Sequence, residues 1–172
     1  GVAVADLFTG VYAATAILAA LHQRSVTGIG QQIDMALLDV AVSVMANQSM
    51  NYLATGKAPG RIGNAHQNLV PYAVFDCADG WIIIATGNDA QYRKLCMVLG
   101  QNGLGDDPRY ATNADRIAHR AELTSAITTA TKGWSKADLL AACEGAGVPA
   151  GPINDLAEVF ADPQVQARGM GL

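Results

Sequence analysis

The chain has 172 residues, 51% of them hydrophobic, 15% charged and 6% aromatic, a composition that excludes a disordered or fibrous protein. At this length folding removes roughly 70% of the unfolded chain's surface from water, enough for a core without disulfide or metal staples. With 11 basic against 15 acidic side chains, a formal charge of −4 and no Lys/Arg run, the chain lacks the clustered positive charge that nucleic acid or an anionic membrane requires.

The first apolar stretch, residues 7–21, carries Thr9, Gly10 and Thr15 and is too short to span a bilayer. No positive segment precedes it, so a secretory signal is not expected either. Its small residues suit a helix buried in a packed core. The chain opens without an initiator Met, as though upstream sequence were missing. Gly28 is placed to cap this helix in the left-handed conformation, and residues 32–36 read as a short strand. Leu37, Val40, Ala41, Val44, Met45 and Gln48 recur at three- and four-residue steps, predicting one helix to about Leu53, ended by Gly56. Residues 55–71 hold two prolines and three glycines without periodicity, and loops of that length in compact domains are usually functional or disordered.

Residues 72–76 and 81–86, rich in aromatic and branched side chains, predict a β-hairpin. Asn88 caps a helix with Tyr92, Leu95, Cys96 and Leu99 on one face, ended by Gly100. Asn113 opens a polar helix reaching about Lys132, and Ser135-x-x-Asp138 begins another that Gly145 and Gly147 stop. Asn154 and Asp162-Pro163 start two short final helices. The expected fold class is α+β.

Few residues carry chemistry on their own pattern. Gly28-x-Gly30 follows a helix instead of a strand and lacks a third glycine, so it is not a dinucleotide fingerprint. Cys77, Cys96 and Cys143 are odd in number and show no C-x-x-C spacing. They read as reduced thiols of a cytoplasmic protein, and no metal centre is expected. His22 and His119 read as exposed helix residues, and no histidine pair has metal-ligand spacing. His66 differs, lying in the long loop beside Asn64, Gln67 and Asn68, but on its own pattern a solvated turn is the leading reading of that cluster. Asp6, just ahead of the apolar helix, first reads as an N-cap. The same place suits an anionic nucleophile, because a helix N-terminus favours negative charge.

Taken together, Asp6-x-x-x-Gly10, Thr27-Gly-Ile-Gly-Gln31, Ile33-Asp-Met-Ala-Leu-Leu38, Arg61-x-Gly63-Asn-Ala-His66, Pro71-Tyr72, Asp79-Gly80, Gly147-Val-Pro149 and Gly151-Pro152 resemble the family III CoA-transferases. The motifs run in family order over nearly the whole chain. The resemblance implies long helices from the family's large domain plus its small α+β domain. Residues 1–36 would belong to the large, Rossmann-like domain, 37–62 to a linking helix and loop, and 63–172 to the small domain and the start of a return linker. It implies Asp6 as the catalytic carboxylate, forming an acyl anhydride and then an aspartyl-CoA thioester. Gly63, Asn64, His66 and Asn68 would bind substrate, orienting a second carboxylate or stabilising an anion.

The resemblance further implies acyl-CoA and a small carboxylic acid, dicarboxylates included, as substrates. Coenzyme A would be the substrate and carrier, with no separate cofactor and no metal. The CoA site would lie mainly upstream of this chain, making it an internal piece, inactive alone, of a cytoplasmic homodimer. An α-methylacyl-CoA racemase-like isomerase and, for this segment, a non-catalytic dimerisation domain are the competing readings.

Overall fold

The computed structural model describes residues 1–171; Leu172, the last residue of the expected return linker, lies outside them. The chain divides into two compact units, Gly1–Arg61 and the remainder from Ile62.

The first unit is helical. Helix α1, Val4–Thr27, ends where the Gly28 amide donates to the Arg24 carbonyl at 2.8 Å with Gly28 at φ +75°, the left-handed cap expected for it. Thr9 and Thr15 donate back to the Ala5 and Val11 carbonyls, which satisfies their hydroxyls on an otherwise apolar rod. The expected burial is overturned: no α1 residue is buried, and Leu7, Val11 and Leu18 are 61%, 63% and 67% exposed. The helix is apolar on all sides, while its unit supplies α2, Leu37–Val44, as a neighbour able to cover one stripe. The apolar helix is also longer than the stretch expected at residues 7–21. At 24 residues, about 36 Å, α1 is long and apolar enough to cross a bilayer, a test that core helices of soluble proteins also pass.

Residues 32–36 form no strand, since no partner strand lies beside them among the described residues. The single helix expected from Leu37 is two, α2 and α3, Asn47–Thr55, broken where Ala46 takes φ +44°. Neither Gly nor Pro marks that break in the sequence.

The second unit is built on a hairpin. Strand β1, Tyr72–Cys77, pairs antiparallel with β2, Gly80–Ala85, in a register running from Tyr72↔Ala85 to Cys77↔Gly80. A third strand, β3, Ala150–Pro152, pairs with the other edge of β2 and leaves β1 at the margin. Three residues containing Gly and Pro show no strand periodicity, so β3 is not legible in the sequence. Ala73, Phe75 and Cys77 point inward along β1, with Ile82 and Ile84 from β2.

Helix α4, Asp89–Val98, is capped by Asn88, whose Oδ1 accepts from the Gln91 amide at 2.9 Å, and contributes Tyr92, Leu95 and Cys96 to the core. After α5, Asn102–Asp106, and a 3-10 turn, Pro108–Tyr110, the predicted polar helix is interrupted at His119 into α6, Asn113–Ala118, and α7, Arg120–Thr131. Its cap is Thr112, reciprocated by Asp115 in a capping box, so Asn113 is the first helical residue. Helix α8, Lys136–Ala146, starts at Ser135 and stops at a left-handed Gly147, as read from the sequence. Helices α7 and α8 lie against the sheet, burying Leu123, Ile127, Leu139 and Cys143. Helices α9, Leu156–Ala161, capped by Asp155 instead of Asn154, and α10, Pro163–Ala167, close the chain.

Candidate active-site residues

Asp6 is the third residue of α1. The N-cap position belongs to Ala3, and no side chain caps the helix, so the capping role is not what Asp6 performs. Its carboxylate is exposed and has no hydrogen-bond or ion-pair partner among the described residues. The unpaired amides of the first turn give this end of α1 partial positive charge, which favours an anion there.

Gly63, Asn64, His66 and Asn68 come together in one loop of the second unit. Gly63, at φ +63°, makes a turn that a side chain would strain. Asn64 Oδ1 then accepts the Val74 amide at 3.0 Å, covering a donor on the free edge of β1. The His66 amide donates to the Tyr72 carbonyl at 2.8 Å, and its ring stacks on Tyr72 with centroids 5.1 Å apart. The Asn68 amide donates to His66 Nδ1 at 3.0 Å.

These bonds fix what the loop offers outward. A backbone amide can only donate, so Asn64 Oδ1 and His66 Nδ1 are both occupied acceptors. His66 then keeps only a donor, the Nε2–H of the neutral tautomer, while Asn64 keeps its Nδ2 amine and the second lone pair of Oδ1. The two donors left on these residues suit an anion.

The loop is held from behind by residues that the sequence reading assigned only to a polar helix. Arg120 donates through Nη1 to the His66 carbonyl at 2.9 Å and through Nη2 to the Gln67 carbonyl at 2.7 Å. Asn113 takes the Asn68 carbonyl at 2.8 Å and the Val70 amide at 3.1 Å. Arg116, 1% exposed, donates to the Val70 carbonyl at 2.7 Å, pairs with Asp89 at 2.7 Å and lies 4.6 Å from the centre of the Tyr92 ring. Residues 113, 116 and 120 recur at i, i+3 and i+7, so one polar stripe was the signal available in the sequence. A groove of about 530 Å³ runs beside this clamp, lined by Ile62, Ala65, Tyr72, Arg120 and Thr124 among others.

Asp89 serves as counter-ion to the buried Arg116. Burial raises the thiols of Cys77, Cys96 and Cys143, which makes them poor nucleophiles at neutral pH. Among the described residues no group of three or more His, Cys, Asp or Glu could hold a metal ion.

By architecture this is an α+β protein, a helical unit followed by a small three-stranded unit with a donor-bearing loop. A profile of CoA-transferase family III matches residues 1–171, and the chain belongs to that family. It is 58% identical over 170 residues to a succinate–glutarate CoA-transferase of Agrobacterium fabrum, covering 99% of this chain and 42% of that protein. It is 40% identical over 170 residues to the human succinyl-CoA:glutarate CoA-transferase, covering 99% of this chain and 39% of that protein. The crystal structure of a CAIB/BAIF family protein from Brucella suis superposes with a TM-score of 0.82 at 55% identity, over all of this chain and 46% of that one. The chain thus spans about two fifths of the length of the curated relatives it matches.

Proposed function

We propose that the protein containing this segment transfers CoA between an acyl-CoA and a small dicarboxylate, with Asp6 as the covalent carrier and the Gly63–Asn68 loop as receiver of the carboxylate not undergoing exchange. The relatives named as succinyl-CoA:glutarate CoA-transferases support the substrate class. The observation that carries the chemistry is the uncommitted Asp6 carboxylate at the positive end of α1.

Asp6 attacks the thioester carbonyl, and collapse of the tetrahedral intermediate expels CoA thiolate and leaves a mixed anhydride. The thiolate attacks the aspartyl carbonyl of that anhydride, releasing the donor acid and forming an aspartyl-CoA thioester. The acceptor carboxylate displaces the thiolate to give a second anhydride. Thiolate attack on its acyl carbon yields the new acyl-CoA and returns Asp6 as a carboxylate. One thioester is exchanged for another, so no ATP, metal or further cofactor enters the balance.

In this reading the Asn64 amine and the His66 Nε2–H bind the distal carboxylate, Gly63 sets the turn that points them outward, and Asn68 fixes the His66 tautomer through its amide. The setting is cytoplasmic, on the strength of three unpaired buried thiols. The full-length protein acts as a homodimer, a reading supported by the family resemblance.

The test uses the full-length protein with succinyl-CoA, glutarate and hydroxylamine. Hydroxamate on Asp6, found by peptide mass spectrometry, with turnover lost in Asp6→Asn, is the expected result. An unmodified Asp6 alongside measurable turnover would overturn the assignment.

A further inference from the structure

We infer that Arg120 is a positioning residue for the carboxylate-receiving loop, acting through a single peptide plane on the hydrogen-bonding state of His66. The inference rests on the reading of Asp6 and the loop given above and goes beyond it to the device that holds the loop.

Arg120 is the first residue of α7, at the positive end of a helix, where a cation is disfavoured. It forms no ion pair with an acid among the described residues; instead its two terminal nitrogens grip two successive carbonyls, those of His66 and Gln67. A planar guanidinium presents its donors in a fixed fork, whereas an ammonium is a point donor that can satisfy one of these oxygens well. The consequence passes along the backbone. In a trans peptide the carbonyl oxygen and the following amide hydrogen point in opposite directions. Holding the Gln67 oxygen therefore aims the Asn68 amide away from Arg120, and that amide bonds His66 Nδ1 at 3.0 Å. An Nδ1 that accepts leaves Nε2 carrying the proton, so the clamp specifies a donor at the face offered to substrate.

Asn113 secures the next carbonyl and the Val70 amide, and Asn64 ties the loop's other end to β1. With both ends and the middle fixed, the loop is a preset wall, not a lid that closes over each intermediate. The side chains of Asn64 and His66 carry restraints that glycines cannot supply.

The experiment compares Arg120→Met and Arg120→Lys with wild type in the full-length protein. Hydrogen exchange by mass spectrometry on residues 62–70 reads the clamp independently of activity. Arg120→Met should accelerate exchange there by about tenfold or more, with residues 80–86 unchanged, as local release of one segment predicts. The catalytic readout is selectivity, the ratio of kcat/KM for glutarate to that for butyrate, which lacks the distal carboxylate. This ratio should fall about tenfold in both variants while kcat/KM for butyrate holds, because the loss falls on recognition of one group. Arg120→Lys retaining wild-type selectivity, or Arg120→Met leaving exchange of residues 62–70 unchanged, overturns the inference. Hydroxylamine trapping on Asp6 in the same samples separates the two ideas: normal trapping with unmoved selectivity and exchange refutes the clamp alone. An untrapped Asp6 with turnover refutes the parent reading, and exchange then decides the clamp by itself.

Discussion

Replacing Arg116 by Met keeps an unbranched stem of similar reach and removes the guanidinium, and its cost can be worked from the partners left behind. Arg116 is 1% exposed, and it donates to the carbonyls of Val70 at 2.7 Å and Tyr110 at 3.0 Å, residues that are each themselves 1% exposed. An orphaned buried carbonyl costs about 1–3 kcal/mol, so the two together cost about 2–6 kcal/mol. Asp89 is 44% exposed and rehydrates when its partner goes, so loss of that pair adds about 0–1 kcal/mol. Removing a buried charge returns part of the desolvation penalty. The expected net destabilisation is about 3 kcal/mol, a large share of the 5–15 kcal/mol typical of a domain. Both tryptophans, Trp81 and Trp134, lie in the second unit, so their fluorescence during urea denaturation reports on that unit. With a slope of about 2 kcal/mol per molar urea, the midpoint should fall by about 1.5 M at unchanged slope. Arg116→Lys, with one donor group for several acceptors, should fall between the two. A midpoint within about 0.3 M of wild type for Arg116→Met would show that Val70 and Tyr110 find other donors, and the keystone role assigned to Arg116 would be wrong.

Two further outcomes follow from the second unit. Burial raises the Cys77, Cys96 and Cys143 thiols, with Asp79 and Asp76 adding to Cys77, so Ellman's reagent should label none of the three quickly in the native protein and all three in denaturant. Fast native labelling of Cys96 would contradict its burial. At acid pH, Asp107 is held low by hydrogen bonds from Arg109, Asp115 by Thr112 and Glu122 by Tyr110 and then Arg109. Their folded values lie below the ordinary 3.8 and 4.5, so the stabilisation is present above those values and is lost as pH falls through the lowered ones. Melting temperature should drop more steeply below about pH 4.5 than above it, and the drop should be shallower in Asp107→Asn and in high salt, since these groups are exposed. An unchanged acid limb in Asp107→Asn would refute the contribution of that group.

The local grammar of the chain is legible where one residue decides the backbone. Gly28, Gly56 and Gly147 end helices in the left-handed region, and Asn88, Ser135 and Asp162 start them with side-chain acceptors. The hairpin is legible because alternation over six residues is a signal of its own. What escaped depends on tertiary partners. Residues 32–36 have strand-like composition but no neighbouring edge, and β3 is a strand only because β2 offers it one. Burial of α1 was inferred from composition, which records what a helix needs and not what its own unit supplies. The loop was marked by its lack of periodicity and by Asn64 and His66. Its clamp, from 43 to 54 residues further on, could not be read from either segment alone.

The same comparison bears on Asp6. Six helices carry an acid at their third residue, and in three of them it is spent on the helix start. Asp115 takes the Thr112 amide at 3.1 Å, Glu158 takes the Asp155 amide at 2.8 Å, and Asp138 takes the Ser135 hydroxyl at 2.7 Å. Each of those acids works with a polar N-cap residue. Helix α1 has Ala3 at that position, and Asp6 makes none of these bonds. The helix dipole acts on all six alike, so it cannot account for the difference; Glu122 is engaged by Arg109, whereas Asp6, like Asp39 behind Ala36 of α2, keeps its lone pairs unshared among the described residues. A carboxylate bonded to its own helix must break those bonds before it can attack a carbonyl, and one that is not bonded there needs no such reorganisation. Changing Ala3 to Ser would give Asp6 the reciprocal partner that Thr112 gives Asp115, turning a free carboxylate into half of a capping box.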